Sequence, residues 1–294
     1  MKVGVIGIGI MGSAIARNLI AAGSSVAGYD IDERRLALLR EAGGEPLGSA
    51  AEVARASEIV LTSLPSAEAL DDTVSGGHGL ASVARSGQVV VELSTLPIEV
   101  KERNRRALAS VGIALLDCPL SGTGSQAVTR DLAVFASGER AAFERAAPVF
   151  AQFARVTHYL GEFGNGSRMK FVANLLVAIH NVATAEAMVL GMRAGLDPAT
   201  VQKVIASGAG TSRVFELRAP LMAARRYEPP SMKIDVWQKD MHIIGQFAAD
   251  LGVVTPLFSA SAPIYDAALA LELGAMDTAA VCTVLERMAG LARA

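Results

Sequence analysis

The chain has 294 residues and a formal net charge of −2. That length suffices for one large domain or two ordinary ones with ample core, and the near-neutral balance gives no electrostatic reason to expect a nucleic acid or an anionic membrane as partner. Cys118 and Cys282 are far apart and too few for a disulfide framework, so a reducing, cytoplasmic compartment is expected.

Residues 2 to 30 read as strand, glycine turn, helix, strand. The apolar run Lys2-Val3-Gly4-Val5-Ile6 leads into Gly7-Ile8-Gly9-Ile10-Met11-Gly12, a helix-like stretch from Ser13 to Ala22 follows, and Ser25 to Asp30 closes the unit. Glycines at turn spacing and Arg17 mark this apolar N-terminus as buried strand and helix rather than a signal peptide. A G-x-G-x-x-G turn after a first strand, with an acidic residue some twenty positions on, predicts a dinucleotide site. Gly7 permits the tight turn, Gly9 lets a pyrophosphate approach the backbone, and Gly12 lets helix and strand pack closely. The phosphates would sit on free N–H groups at the helix N-terminus, where Ile10 and Met11 lie and the helix dipole favours negative charge. Asp30 is placed to accept hydrogen bonds from the ribose hydroxyls, and its charge would repel the 2′-phosphate of NADP, so NAD is the expected cofactor. Arg34 and Arg35 lie just beyond it. They could compensate for that repulsion, or be solvated residues of the next helix, from about Asp32 to Glu41.

Further strands are expected at Glu58–Ser63, Gln88–Leu93, Gly112–Asp117, Leu132–Ser137 and Val156–Leu160, alternating with helical stretches. Ligands in such sheets bind beyond the carboxyl ends of the strands, where Ser63-Leu64-Pro65, Ser94-Thr95 and Asp117-Cys118-Pro119 fall. The pattern changes at Gly161–Gly166. A long helix is expected from about Ser167 to Ala194, stopped by Gly195, with more helices beginning near Pro198, Asp235, Pro256 and Asp277. The fold class is therefore α/β: an N-terminal Rossmann-type doubly wound sheet over residues 1–163 and an all-helical C-terminal domain over 164–294, joined by the long interdomain helix. The longest uncharged stretch, between Lys170 and Glu186, holds Asn174, His180 and Asn181 and reads as too short to span a bilayer.

A nicotinamide enzyme that oxidises an alcohol needs a group to take the hydroxyl proton as hydride leaves. Lys170 stands near the start of the long helix, at the expected interdomain cleft, with Asn174 four residues on along the same face. The positive helix end and Arg168 should lower its pKa, the direction a proton acceptor needs. Position alone leaves an exposed surface lysine equally open. Ser121-Gly122-Thr123-Gly124 offers hydroxyls and amides that could hold a carboxylate, or is an ordinary tight turn. Lys239 could pair with Asp235 one turn earlier on a solvated helix. His180 and His242 read as structural, and no grouping of His, Cys and carboxylates has metal-site spacing, so no metal is expected.

These residues together resemble the β-hydroxyacid dehydrogenase family, which includes 3-hydroxyisobutyrate dehydrogenase and tartronate semialdehyde reductase. Four motifs carry the resemblance in chain order: the glycine turn Gly7–Gly12, the segment Asp117-Cys118-Pro119-Leu120-Ser121-Gly122-Thr123-Gly124, the segment Gly164-Asn165-Gly166-Ser167-Arg168-Met169-Lys170 with Asn174 following, and Lys239-Asp240-Met241. The resemblance implies hydride transfer between nicotinamide and a small β-hydroxy acid or semialdehyde. It casts Lys170 as general acid/base, Asn174 as the residue that helps orient the substrate, and Ser121, Gly122 and Thr123 as the loop that holds the substrate carboxylate. Leu64, Pro65 and Thr95 match positions lining the nucleotide and nicotinamide ribose, and Lys239 a lysine that closes over the cofactor end. A homodimer or homotetramer is expected, with apolar helices such as Phe171–Leu190 suggesting the contact. The chain departs from the pattern at Thr123, Arg130, Asp131 and Ala173, and at Lys233, Asp235 and Trp237, where relatives are more apolar; a more polar or longer acid is the expected consequence. An imine or keto reductase on the same fold would usually lack the lysine at position 170, and a non-catalytic nucleotide-binding protein would have no reason to keep Lys170, Asn174 and Lys239 together.

Overall fold

Short runs rich in valine and isoleucine become the strands of one parallel sheet in the computed structural model, which describes residues 1–83 and 86–291. The strands are β1 (Lys2–Ile6), β2 (Ser25–Tyr29), β3 (Glu45–Pro46), β4 (Ile59–Thr62), β5 (Val89–Glu92) and β6 (Ala114–Asp117), in the spatial order β3-β2-β1-β4-β5-β6. Every pairing among them is parallel. The order reverses between β1 and β4, which opens a crevice at the carboxyl ends there.

Helices cover both faces of this sheet: α1 (Ile10–Ala21), α2 (Glu33–Glu41), α3 (Ala50–Ala56), α4 (Ala67–Ser75) and α5 (Ile98–Ala109). The two-sided cover explains why β4 and β5 read as unbroken apolar runs: Val89 and Val91 enter one core cluster, with Ile15, Leu19 and Phe150, while Val90 enters the other, with Leu70 and Leu108. Side-chain caps start three of the helices, with Asp32, Ser49 and Ser66 accepting from the amides of Arg34, Glu52 and Ala69.

After β6 come β7 (Leu120–Ser121), α6 (Gly124–Val128), β8 (Ala133–Ala136), α7 (Arg140–Phe153) and β9 (Val156–Tyr159). The expected strands near 132 and 156 form, but in a separate sheet of order β7-β8-β9, antiparallel between β7 and β8. A single antiparallel bridge, Asp117 to Ser137, joins it to β6. The two-residue strands β3 and β7 carry too little pattern to be legible in sequence.

The chain divides into two compact units, Met1–Lys170 and Phe171–Ala294, so the division falls inside α8 (Asn165–Arg193) rather than at the glycine turn before it, between 163 and 164, where the sequence places it. The second unit continues with α9 (Pro198–Ala206), α10 (Arg213–Ala224), α11 (Ile234–Asp250), α12 (Pro256–Ala270) and α13 (Val281–Met288); residues 292–294 of the expected helical domain lie outside the described residues. Pro198 and Pro256 open their helices at positions where a missing N–H is harmless. Sequence reading misses α10, whose interior holds Pro220, a residue that ordinarily signals a break.

By length and composition α8 would suffice to cross a membrane: 29 residues, with a mean hydropathy of 1.6 over its most apolar window. The helix is thus longer than the uncharged stretch within it. Two of its polar side chains are nonetheless buried and bonded inside the C-terminal unit, Asn174 Nδ2 donating to Asp240 Oδ2 and Asn181 Nδ2 to Tyr265 Oη and the Thr278 carbonyl. Buried amides bonded in this way are those of a helix packed within a protein.

Candidate active site

β1 ends at Ile6, and Gly7 takes φ +87°, a left-handed value without strain only for glycine. A Cβ on Gly7 would run into the Ser63 carbonyl, and one on Gly12 into the Gly7 carbonyl. Gly9 differs, since a Cβ there would meet nothing nearer than Arg35 Nη1 at 3.9 Å. Two glycines therefore allow close packing, and the third leaves backbone open to a ligand. α1 starts at Ile10 with Gly9 as N-cap, without a side-chain cap and without an acidic residue in its first turn. The amides of Ile10, Met11 and Gly12 thus have no partner within the helix and point at whatever anion lies before it. These residues fit a dinucleotide pyrophosphate.

Asp30 follows β2 and is buried. Its Oδ2 accepts from the Ile8 amide at 2.7 Å and its Oδ1 from the Asp32 amide at 2.9 Å, which locks the carboxylate onto the glycine turn. The two arginines beyond it part company. Arg34 is exposed and forks onto Asp32, with both bonds at 3.0 Å. Arg35 instead donates to Asp30 Oδ2 at 3.2 Å, so it is not simply a solvated residue of the next helix.

The other expected residues of the first unit follow along the same strand ends. The Leu64 amide donates to Ser94 Oγ at 2.8 Å, tying the loop after β4 to the loop after β5. Pro65 is exposed and Thr95 half-buried. Ser121 ends β7, and Gly122 takes φ +139°, where a Cβ would come within 2.5 Å of Leu132 Cδ2. Thr123 is the N-cap of α6: its amide donates to Gln126 Oε1 at 3.1 Å and its hydroxyl lies 2.9 Å from Ser125 Oγ. Its amide therefore serves the local cap, and the donors left for a carboxylate at this turn are chiefly the hydroxyls and the Gly122 amide. The turn lies against the nucleotide turn, since a Cβ on Gly124 would be 2.5 Å from Ile10 Cγ2. Asn18 Nδ2 reinforces that docking by donating to the Ala127 carbonyl at 2.8 Å.

Lys170 lies in the second turn of α8 and is only 8% exposed, which removes the surface-lysine alternative. Asn174, one turn further, is also buried, and Asp240 on α11 holds its amide at 2.8 Å. Lys239 does not pair with Asp235, whose carboxylate accepts from the Val236 amide; its ammonium lies 3.5 Å from Asp240 Oδ1. Asn174, Asp240 and Lys239 thus form one cluster within the C-terminal unit. Trp237, read in sequence as a pocket departure, is buried beside Tyr265 with ring centroids 6.3 Å apart, and the Lys233 main chain forms an isolated antiparallel β-bridge with that of Asp277.

Sequence reasoning misses a further group. Lys101 on α5 lies fully buried between Glu92 and Asp117. No local pattern marks it: Glu92 and Asp117 come side by side only when β5 and β6 pair, and two buried carboxylates so placed require a cation. Cys118 is buried, and burial and the adjacent Asp117 charge push its thiol well above the ordinary range, away from nucleophilic chemistry. Among the described residues no group of three or more His, Cys, Asp or Glu could hold a metal ion.

The doubly wound sheet, the glycine turn and Asp30 define a dinucleotide-binding oxidoreductase fold. Residues 2–161 match the family model described as the NAD binding domain of 6-phosphogluconate dehydrogenase, and residues 164–285 match that described as NAD-binding of NADP-dependent 3-hydroxyisobutyrate dehydrogenase. The chain is 33% identical over 284 residues to an L-threonate dehydrogenase of Cupriavidus necator, covering 96% of this chain and 95% of that one. It is 30% identical over 291 residues to the 2-(hydroxymethyl)glutarate dehydrogenase of Eubacterium barkeri, covering 99% and 97%. The crystal structure of a 3-hydroxyisobutyrate dehydrogenase from Salmonella typhimurium superposes with a TM-score of 0.88 at 29% identity, over 97% of this chain and 99% of that one. The chain belongs to the β-hydroxyacid dehydrogenase family, and is an oxidoreductase with a nicotinamide cofactor.

Proposed function

We propose that the protein is an NAD-dependent dehydrogenase or reductase that interconverts a small β-hydroxy acid and its semialdehyde or keto partner, with Lys170 as general acid/base. The observation that carries this reading is Lys170 itself, buried in the second turn of α8 as the last residue of the nucleotide-binding unit. A bound nicotinamide supplies the hydride acceptor or donor. Lys170 then takes the hydroxyl proton during oxidation, or returns it during reduction, at the oxygen of the reacting carbon. Asn174, its amide held by Asp240, orients that oxygen. Ser121, Gly122 and Thr123 anchor the substrate carboxylate. The substrates in the relatives' names, threonate, (hydroxymethyl)glutarate and hydroxyisobutyrate, are all carboxylates bearing a hydroxyl.

NAD is favoured over NADP because Asp30 puts a carboxylate at the strand end where the ribose 2′ position falls. Arg34 is occupied by Asp32, and Arg35 is held on Asp30 itself. Leu64, Pro65 and Thr95 would line the nucleotide, and Lys239 would close over its nicotinamide end. Two buried free thiols suit a reducing, cytoplasmic compartment, and exposed apolar side chains on α8, Val172, Leu176 and Leu190 among them, suit a homodimer or homotetramer.

A panel of hydroxy acids offered with NAD and NADP in parallel, followed by absorbance of the reduced cofactor, tests the reaction. Lys170→Ala tests the chemistry. It should lower kcat by about 10²–10⁴-fold while nucleotide affinity stays near wild type. Retention of most activity by that variant would mean that the proton travels by another route.

A further inference from the structure

At the carboxyl ends of β5 and β6 two carboxylates share one ammonium out of reach of solvent. Lys101 Nζ lies 2.6 Å from Glu92 Oε2 and 2.7 Å from Asp117 Oδ1, with all three side chains fully buried. It also donates to the Ser94 carbonyl at 2.7 Å. Burial by itself disfavours the ammonium form; the Asp117 and Glu92 carboxylates outweigh it and hold the Lys101 pKa above the ordinary lysine value.

One cation between two carboxylates leaves a negative charge over, and its partner is the start of α8. Asp117 Oδ2 accepts from the Ser167 amide at 2.8 Å, and Asp117 Oδ1 from the Ser167 hydroxyl at 2.8 Å. Ser167 is the third residue of α8, so an amide with no partner in the helix, at the positive end of its dipole, meets an anion. The contact is close on the main chain as well. The Gly166 amide donates to Ser137 Oγ at 2.9 Å, and a Cβ on Gly166 would lie 2.6 Å from the Asp117 carbonyl oxygen. Local side chains cap other helices of this chain, as Asp32 and Ser49 do for α2 and α3. At α8 the cap comes instead from a strand end fifty residues earlier. Lys170 follows Ser167 by just under one helical turn.

We propose that Asp117, paired with Lys101, is a positioning residue that clamps the first turn of α8 through Ser167 and so fixes the height and rotation at which Lys170 is presented. A helix free to slide or turn at this end would carry Lys170 off its line to the reacting oxygen. The clamp also ties Lys170 to the segment that leads from Asp117 to Ser121, so general base and carboxylate anchor share one rigid reference. This inference rests on Lys170 as the proton-exchanging group.

Ser167→Ala removes one arm of the clamp without leaving a charge unpaired. It should lower kcat about ten- to a hundredfold, with KM and Kd for NAD unchanged, since misplacement of a reacting group acts on the chemical step. Ser167→Thr, which keeps the hydroxyl, should recover most of the loss. Asp117→Asn, a near-isosteric change, should show the same split between kcat and KM. A Ser167→Ala enzyme with wild-type kcat, or one whose loss lies wholly in KM for NAD, overturns the proposal. Lys170→Ala measured alongside separates the two readings. If it keeps its turnover, the role of Lys170 falls; if it is inactive while Ser167→Ala runs at the wild-type rate, only the clamp falls.

Discussion

Asp30 and Lys170 are both buried ionisable side chains, a kind of group whose influence is greatest at contact distance. Asp30 already accepts from the Ile8 and Asp32 amides and from Arg35. Removing its carboxylate should loosen the glycine turn, weaken NAD, and free Arg35 for a 2′-phosphate. Asp30→Ala is accordingly expected to lower kcat/KM with NAD and raise the ratio of NADP to NAD turnover; a wild-type enzyme equally fast with NADP would point to Arg35 as a phosphate ligand instead. The carboxylate anchor proposed at Ser121 and Gly122 supplies donors and no acidic acceptor, and donors left unpaired in a closed site cost about 1–3 kcal/mol each. Hydroxy acids should therefore outperform their own amides or methyl esters by about tenfold or more in kcat/KM. Neutral analogues turned over as fast as the acids would remove the carboxylate anchor. Asp30 and Lys170 were legible in sequence because their places follow from local rules: the first acidic residue after a second strand, and a lysine just inside a helix start. Lys101 was not, because the two carboxylates that hold it lie on separate strands and meet only once the sheet is assembled.

At the scale of elements, close approach of backbones decides more than side-chain chemistry. Gly12 packs α1 onto the Gly7 carbonyl, so Gly12→Ala should push the helix off the turn and weaken NAD binding about tenfold or more, measurable by titration of nucleotide fluorescence. Wild-type affinity in that variant would show that the turn tolerates the displacement. α8 makes the complementary point. Its apolar length would satisfy a membrane span, yet Asn181 donates both amide protons to Tyr265 Oη and the Thr278 carbonyl inside the C-terminal unit. Asn181→Ala leaves both acceptors without that donor and should cost about 1–3 kcal/mol of stability, read as a lower midpoint in urea. Period and caps predicted the long helices to within a few residues. The strands β3 and β7 and the proline-bearing α10 were not predicted, because two residues carry no period and a proline locally contradicts the helix it occupies.

For the whole molecule, pH links both units to one expected curve. The folded state holds the protons of Lys101, in the nucleotide unit, and Tyr265, in the helical unit, more tightly than the unfolded chain does: carboxylates do so for Lys101, burial for Tyr265. A proton that the unfolded state loses first, near the ordinary values of about 10, makes stability fall as pH rises beyond that point. Below it both states are equally protonated at these groups and the contribution is constant. Tm should therefore be level with respect to these groups from neutrality to about pH 9 and drop steeply above pH 10. Tyr265→Phe should flatten the drop, and an unchanged slope would mean that Tyr265 titrates normally.

The sequence by itself determined what local rules can encode. These were the G-x-G-x-x-G turn with its acidic partner, the alternation of strand and helix that requires a parallel sheet, and the passage to helix after Gly166, all consequences of short-range sterics, period and capping. The tertiary structure alone decided the rest. It buried Lys170, set Asp240 behind Asn174, placed Lys101 between Glu92 and Asp117, and joined Asp117 to the start of α8. Each of these depends on pairs far apart in the chain or on the competition of one donor for several acceptors. Such choices are made by the geometry of assembled strands and helices, which no local window of sequence contains.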